Sequence, residues 1–237
     1  MQRLTPEHVA GATSSTFAVG DVVELMPLGS DTEHYLANLG TTDSEVGCTG
    51  YTTFYTVCAY EDATSVSVLE KVGGSLVEVQ SVILDRFQSF TDRDFTSDEN
   101  QQTFAGFVVR SDKNVAVYTG NRCFTYEAIN LATWASIPSS PNLGTNHVVL
   151  PLQADDYESF VQVVGTQNVT DVTLGSGETV TLDEADVAEF GVTSSSQLGF
   201  VNCSKPCVVM QMVNGSSEVA GISQNILHPS DRFETKQ

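Results

Sequence analysis

The chain has 237 residues, 41% of them hydrophobic, a globular composition with length for one large core or two smaller ones. Thirty acidic residues against ten basic ones give a formal net charge of −20, which excludes a nucleic-acid binder, because phosphate recognition needs a basic surface, and disfavours docking on an anionic membrane. No apolar run reaches the about 18 residues that a membrane-crossing helix needs, so no membrane insertion is expected.

Met1–Ala10 carries Arg3, Glu7 and His8 and has no apolar core, so it is not a signal peptide. The expectation is a stretch of a longer secreted chain, with the signal and flanking domains elsewhere. Strand patterns then dominate. Alternating or continuous β-branched runs cover Tyr51–Tyr60, Ser65–Leu69, Leu76–Leu84, Thr103–Arg110 and Val115–Tyr118. They resume at His147–Leu152, Phe160–Gly165, Asp171–Leu174, Glu178–Leu182, Leu198–Asn202 and Cys207–Val213. Gly73-Gly74, Asp112-Lys113-Asn114 and Gly175-Ser176-Gly177 punctuate them as turns. Two short segments carry a helical pattern, Glu127–Ala135 with the single Trp134, and Asp183–Phe190. The predicted fold is all-β, with repeated antiparallel units forming a sandwich, barrel or propeller-like architecture and minimal helix.

Self-similarity organises the chain. Thr32-Glu33-His34-Tyr35-Leu36 is echoed by Thr145-Asn146-His147-Val148-Val149. Phe54–Ala59 with Thr64–Val68 is echoed by Phe160–Gly165 with Thr170–Leu174. Gly106-Phe107-Val108, leading to Ser111, Lys113 and Val115-Ala116-Val117, is echoed by Gly199-Phe200-Val201, leading to Ser204-Lys205 and Cys207-Val208-Val209. The expected division is an N-terminal segment over 1–21, a β unit over 22–121, a linker over 122–135 and a second β unit over 136–215. Residues 216–237 would begin a third unit at Ile226-Leu227-His228-Pro229.

These motifs carry a family resemblance. F-x-x-V-x-(A/G), then T-x-V-x-(V/L), then Ser111-Asp112-Lys113-Asn114-Val115-Ala116-Val117-Tyr118-Thr119-Gly120-Asn121-Arg122-Cys123 resembles the N-terminal domain of the IgG-Fc-binding protein family, a repeat found in large mucin-like secreted proteins. Members commonly have Pro where this chain has Asn114; the second copy keeps it as Pro206. Members often have a second Cys soon after the position of Cys123, and Phe124–Ile137 contains none. The resemblance implies an extracellular binding or adhesion module whose partner is a protein or glycoprotein, with Fc itself as the family's eponymous ligand. It carries over no binding residue.

The side chains suited to chemistry are few. No G-x-S-x-G elbow, phosphate-binding loop or H-E-x-x-H is present. His34 and His147 recur at matching positions, which favours structural histidines over ligands or bases. Asp92, Asp94, Asp98 and Glu99 form a candidate calcium loop by carboxylate spacing, without the Gly and Glu of an EF-hand; the plainer reading is a solvated acidic insertion, and no other cofactor is expected. Cys48, Cys58, Cys123, Cys203 and Cys207 lack zinc-knuckle spacing and are disulfide candidates. Cys203 and Cys207 either close a small loop or fill the core of a strand. Cys123 would pair with Cys48, with Cys58 or with nothing. Asn168, Asn202 and Asn214 head glycosylation sequons. Lys113 and Lys205 recur in one turn and are read as turn residues. Three functions compete: a binding module, a structural spacer, and a carboxylate hydrolase, the last disfavoured because the chain shows no concentrated constellation of His, Cys, Ser and Asp.

Overall fold

A computed structural model describes residues 31–38, 53–93, 104–126, 129–150, 157–192, 199–215 and 222–232. All the regular elements among them are strands, apart from two single 3-10 turns at Ser140–Asn142 and Ser230–Arg232. The first half contains β1 (Glu33–Tyr35), β2 (Thr53–Ala59), β3 (Thr64–Val72), β4 (Ser75–Leu84), β5 (Ser89–Arg93), β6 (Val108–Ser111), β7 (Val115–Tyr126) and β8 (Ile129–Ile137). The second contains β9 (Gly144–Val148), β10 (Tyr157–Gly165), β11 (Thr170–Leu174), β12 (Thr179–Leu182), β13 (Val187–Val192), β14 (Phe200–Gly215) and β15 (Ile222–Ile226).

Alternation explains the faces. In β3, Thr64, Val66 and Val68 turn inward while Ser65 is exposed and Ser67 half-buried. In β2, Tyr55, Val57 and Ala59 are buried in the same core. Two antiparallel sheets, β1–β6–β3–β4 and β5–β2–β7–β8, enclose it. Leu36, Phe104, Phe107 and Ile137 complete it, with Tyr55, Phe104 and Phe107 meeting edge to face.

The second half follows the same pairing scheme. β1 pairs β6 and β9 pairs the start of β14; β3 joins β4 and β6, as β11 joins β12 and β14. β2 joins β5 and β7, as β10 joins β13 and the rest of β14. β8 lies beside β7, as β15 lies beside β14. The sixteen-residue β14 therefore serves as both β6 and β7, and this merges what are two sheets in the first half into one seven-stranded sheet. Its core holds Val161, Val163, Val172, Leu174, Leu182, Val201 and Val209, in the places of Tyr55, Val57, Val66, Val68, Leu84, Val109 and Val117.

Both expected helices are strands. Residues 129–137, within and beyond Glu127–Ala135, form β8 against β7; Val187–Val192, overlapping Asp183–Phe190, forms β13 against β10. Their Ala, Glu and Leu content favours helix locally, but a free strand edge on each neighbour offers a full ladder of backbone bonds that a short helix cannot match. Of residues 122–135, expected as a linker, 122–126 lie in β7 and 129–135 in β8. Register also differs from letter matching. Tyr35 faces Val108 and Val148 faces Phe200, so Phe200 occupies the place of Val108, one residue off the Gly-Phe-Val alignment. A one-residue shift moves a side chain to the other face of the sheet.

A third core joins the halves. Tyr35, Ala37 and Val108 meet Val164, Ala185, Val208, Met210 and Met212, with Leu69 and Leu76 of the β3–β4 hairpin packed alongside. Polar contacts rim this joint. Arg110 bonds Glu33 at 2.7 Å and Glu184 at 3.0 Å, the Tyr35 hydroxyl donates to Glu184 at 2.9 Å, and Lys71 pairs with Asp186 at 2.5 Å. Gly106 (φ 80°) lies so close that a Cβ would stand 2.5 Å from the Ala185 carbonyl oxygen.

Candidate binding surfaces

The recurring cations are turn braces. Lys113 Nζ donates to the carbonyls of Asp62 and Ala63, and Lys205 Nζ donates to that of Asn168. Ala63 (φ 51°) and Val169 (φ 56°) sit in the left-handed region, where these carbonyls turn away from any strand partner. Asp85 and Asp183 accept from the Ala63 and Val169 amides, and Thr64 and Thr170 close the same turns through their hydroxyls.

The recurring histidines are buried braces of another kind. His34 Nδ1 lies 3.2 Å from the Ile137 carbonyl oxygen and His147 Nδ1 lies 3.0 Å from that of Leu227. A carbonyl only accepts, so the ring proton of His34 sits on Nδ1; His147 has a carbonyl at each ring nitrogen, that of Gly144 lying 3.3 Å from Nε2, and a neutral ring donates to one of the two. The backbones of His34 and His147 also bridge to Ser139 and Pro229. Each histidine thus pins the segment following β8 or β15 onto the first strand of its half. Burial lowers the pKa of both; the Ile137 carbonyl and Asp31 oppose this at His34, and the Leu227 and Gly144 carbonyls and Asp231 oppose it at His147.

Cys203 and Cys207 form a disulfide and are also core residues, packed among Val149, Val172 and Val209. The corresponding residues of the first half are Ser111 and Val115. Cys58 is a free, half-buried thiol raised by burial. Cys48 lies outside the described residues, and so does the side chain of Cys123, a β7 residue.

Of the candidate calcium loop, Asp92 lies on β5 and accepts a hydrogen bond from Tyr55 at 3.2 Å. Burial raises the Tyr55 hydroxyl's pKa, and the charge of Asp92 adds to it. Asp94, Asp98 and Glu99 lie outside the described residues. Among the described residues no grouping of three or more His, Cys, Asp or Glu is placed to hold a metal. Asn168 is exposed in the turn braced by Lys205. Asn202 lies inside β14 with strands paired on both sides, its side chain bonded to Asn146. Asn214 also lies within β14, between β10 and β15.

Comparison with known families supplies the decisive finding. A family model described as IgGFc binding protein matches residues 25–234, nearly the whole chain. The chain belongs to the IgGFc binding protein family. No curated protein and no solved structure matched. Membership points to an extracellular binding module, consistent with the disulfide. No helix among the described residues is long and apolar enough to cross a membrane.

Among the described residues, the β3–β4 hairpin exposes a run of apolar side chains along one strand. β4 is the outer strand of its sheet, ten residues long, with Val77, Val79 and Ile83 exposed along it. Val72 is exposed near the tip, on the same face as Val77. A register shift in the β3–β4 pairing leaves Val79 without an opposite residue. The matching β11–β12 hairpin is much shorter, and its outer strand carries Thr179 and Thr181 on its exposed face. No short sequence motif marks this hairpin. Its signal is the apolar run Val77, Val79, Val82, Ile83 on a strand that the sheet leaves at an edge, and only the pairing order shows that.

Proposed function

We propose that this chain is an extracellular, non-catalytic module that binds a glycoprotein or matrix protein, and that the β3–β4 hairpin makes the contact. Membership of the IgGFc binding protein family supports the class of function. The observation that carries the site is the exposed apolar edge of β4, a strand that has no long counterpart in the second half. Two halves that share a pairing scheme are read here as copies of one scaffold unit. A feature found in only one copy is where a specific partner is expected, since the shared features serve the scaffold. An extended partner segment adding to β4 would satisfy the strand's outward backbone groups while Val77, Val79 and Ile83 supply apolar contact. The net charge of −20 adds a preference for partners with a basic or neutral surface.

Immobilised, oxidised protein titrated with IgG Fc and, separately, with purified mucin tests this in high salt, where charge-driven binding is screened. Saturable binding of one bait is expected, weakened at least tenfold by Val77→Asp with Ile83→Asp. Well-folded protein that binds neither bait would favour a spacer, whose halves only set distance. The intramolecular joint with its ion pairs is the feature that favours that second reading.

A further inference from the structure

The joint between the halves has two faces, and each has an open counterpart elsewhere in the molecule. On the first half the joint is made by Tyr35, Ala37 and Val108, all buried. Strand pairing puts Val148, Leu150 and Phe200 in those places on the second half, and they are 53%, 66% and 48% exposed. Large apolar side chains thus stand in solvent at the very positions where the other half buries its own against a neighbour. Glu33 and Arg110, which rim the joint, are replaced there by Asn146 and Asn202, bonded to each other.

The opposite face behaves in the same way. The second half contributes Val164, Ala185 and Met210 to the joint. Cys58, Phe87 and Tyr118 take their places in the first half. Phe87 is exposed, and so is Tyr60, which with Cys58 flanks Tyr118. Phe87 and Ala185 share a left-handed backbone (φ 65°). A bulky aromatic in that conformation costs more than alanine and, left in water, gains no burial in return. Arg86 lies 4.7 Å from the Phe87 ring and takes the place of Glu184.

We propose that these two open faces are the halves of one contact. A second copy of this chain docks its first half, through Phe87, Tyr60 and Tyr118, onto the Val148–Leu150–Phe200 face of the first copy. The contact is heterologous, because different surfaces meet, so it extends head to tail instead of closing as a symmetric dimer. It is weaker than the joint within one chain. It has no counterpart of the Lys71–Asp186 pair or of the Arg110–Glu184 pair, and two chains of strong like charge must approach.

Sedimentation velocity of the whole chain over a wide concentration range, at low and high salt, tests this. The expected result is a sedimentation coefficient that rises with concentration and rises further in salt. Leu150→Asp with Phe200→Asp, and separately Tyr60→Asp with Phe87→Asp, should each abolish the rise. An equimolar mixture of the two variants should form a dimer and nothing larger, since one intact face of each kind remains. If a double variant melts early, Leu150→Asp and Phe87→Asp alone replace it, because both side chains point into solvent. A wild-type chain that stays monomeric throughout overturns the proposal. Variants that each still self-associate, or a mixture of folded variants that stays monomeric, overturn it equally.

Discussion

At the scale of single residues, the lysines and histidines that recur between the halves brace backbone. Lys113 and Lys205 cap carbonyls of left-handed turns, and His34 and His147 tie incoming segments to the first strand of each half. This was legible in the sequence as recurrence at equal positions, which is what a scaffold role predicts. The histidines also give the fold a pH dependence. Burial holds both folded-state values below the ordinary 6.5. Unfolding therefore takes up protons as pH falls below 6.5, and the stability present above that value is lost on the way down to the folded-state values. The loss is at most about 1.4 kcal/mol per pH unit for each histidine. Urea midpoints measured at about pH 7.5 and about pH 5.5 should show the fall, and His34→Gln with His147→Gln should flatten it. Asp186 and Asp231 act in a different window. Burial raises their carboxyls, but Lys71 with the Asp183 amide at the first, and the Thr145 and Asn146 amides at the second, outweigh it and leave both below 3.8. Their contribution is lost only in stronger acid.

At the scale of elements, the strands with alternating or continuous β-branched runs, β2, β3, β10 and β11, could be read directly from their residues. β8 and β13 could not, because Ala, Glu and Leu say helix and only the edges of β7 and β10 say strand. β5 and β15 are short and polar, and they too take their identity from a neighbour. The register of β6 against β14 needed pairing partners, since Gly-Phe-Val repeats as letters one residue away from where it repeats in space. The Cys203–Cys207 bridge tests how far the shared plan goes. Cys203→Ser with Cys207→Val installs the first half's own residues at these positions. Denaturant unfolding should show a loss of about 2 kcal/mol, the chain entropy of so short a loop, with the fold retained. Failure to fold would mean that the second half depends on its bridge in a way the first does not.

At the scale of the whole molecule, the joint packs the two halves of the chain against each other. Burying Tyr35, Val108 and Met210 there is worth about 2 kcal/mol each. The joint leaves two kinds of surface outside. One is the pair of open faces that match the joint itself. The other is the β3–β4 hairpin, whose tip half packs into the joint through Leu69 and Leu76, while no described strand pairs with the outer edge of β4. None of this was visible in the sequence, where Val77, Val108 and Phe200 look alike. Which apolar strand residue is core, joint or partner surface depends on sheet order, a property of distant pairings.

Amide hydrogen exchange of the oxidised protein, with and without a saturating bait found in the Fc or mucin titration, tests the assigned function most directly. Protection gained over residues 75–84, with the rest of the described strands unchanged, is the predicted result. Protection confined to other strands, or none at saturation, would contradict the assignment of partner binding to β4.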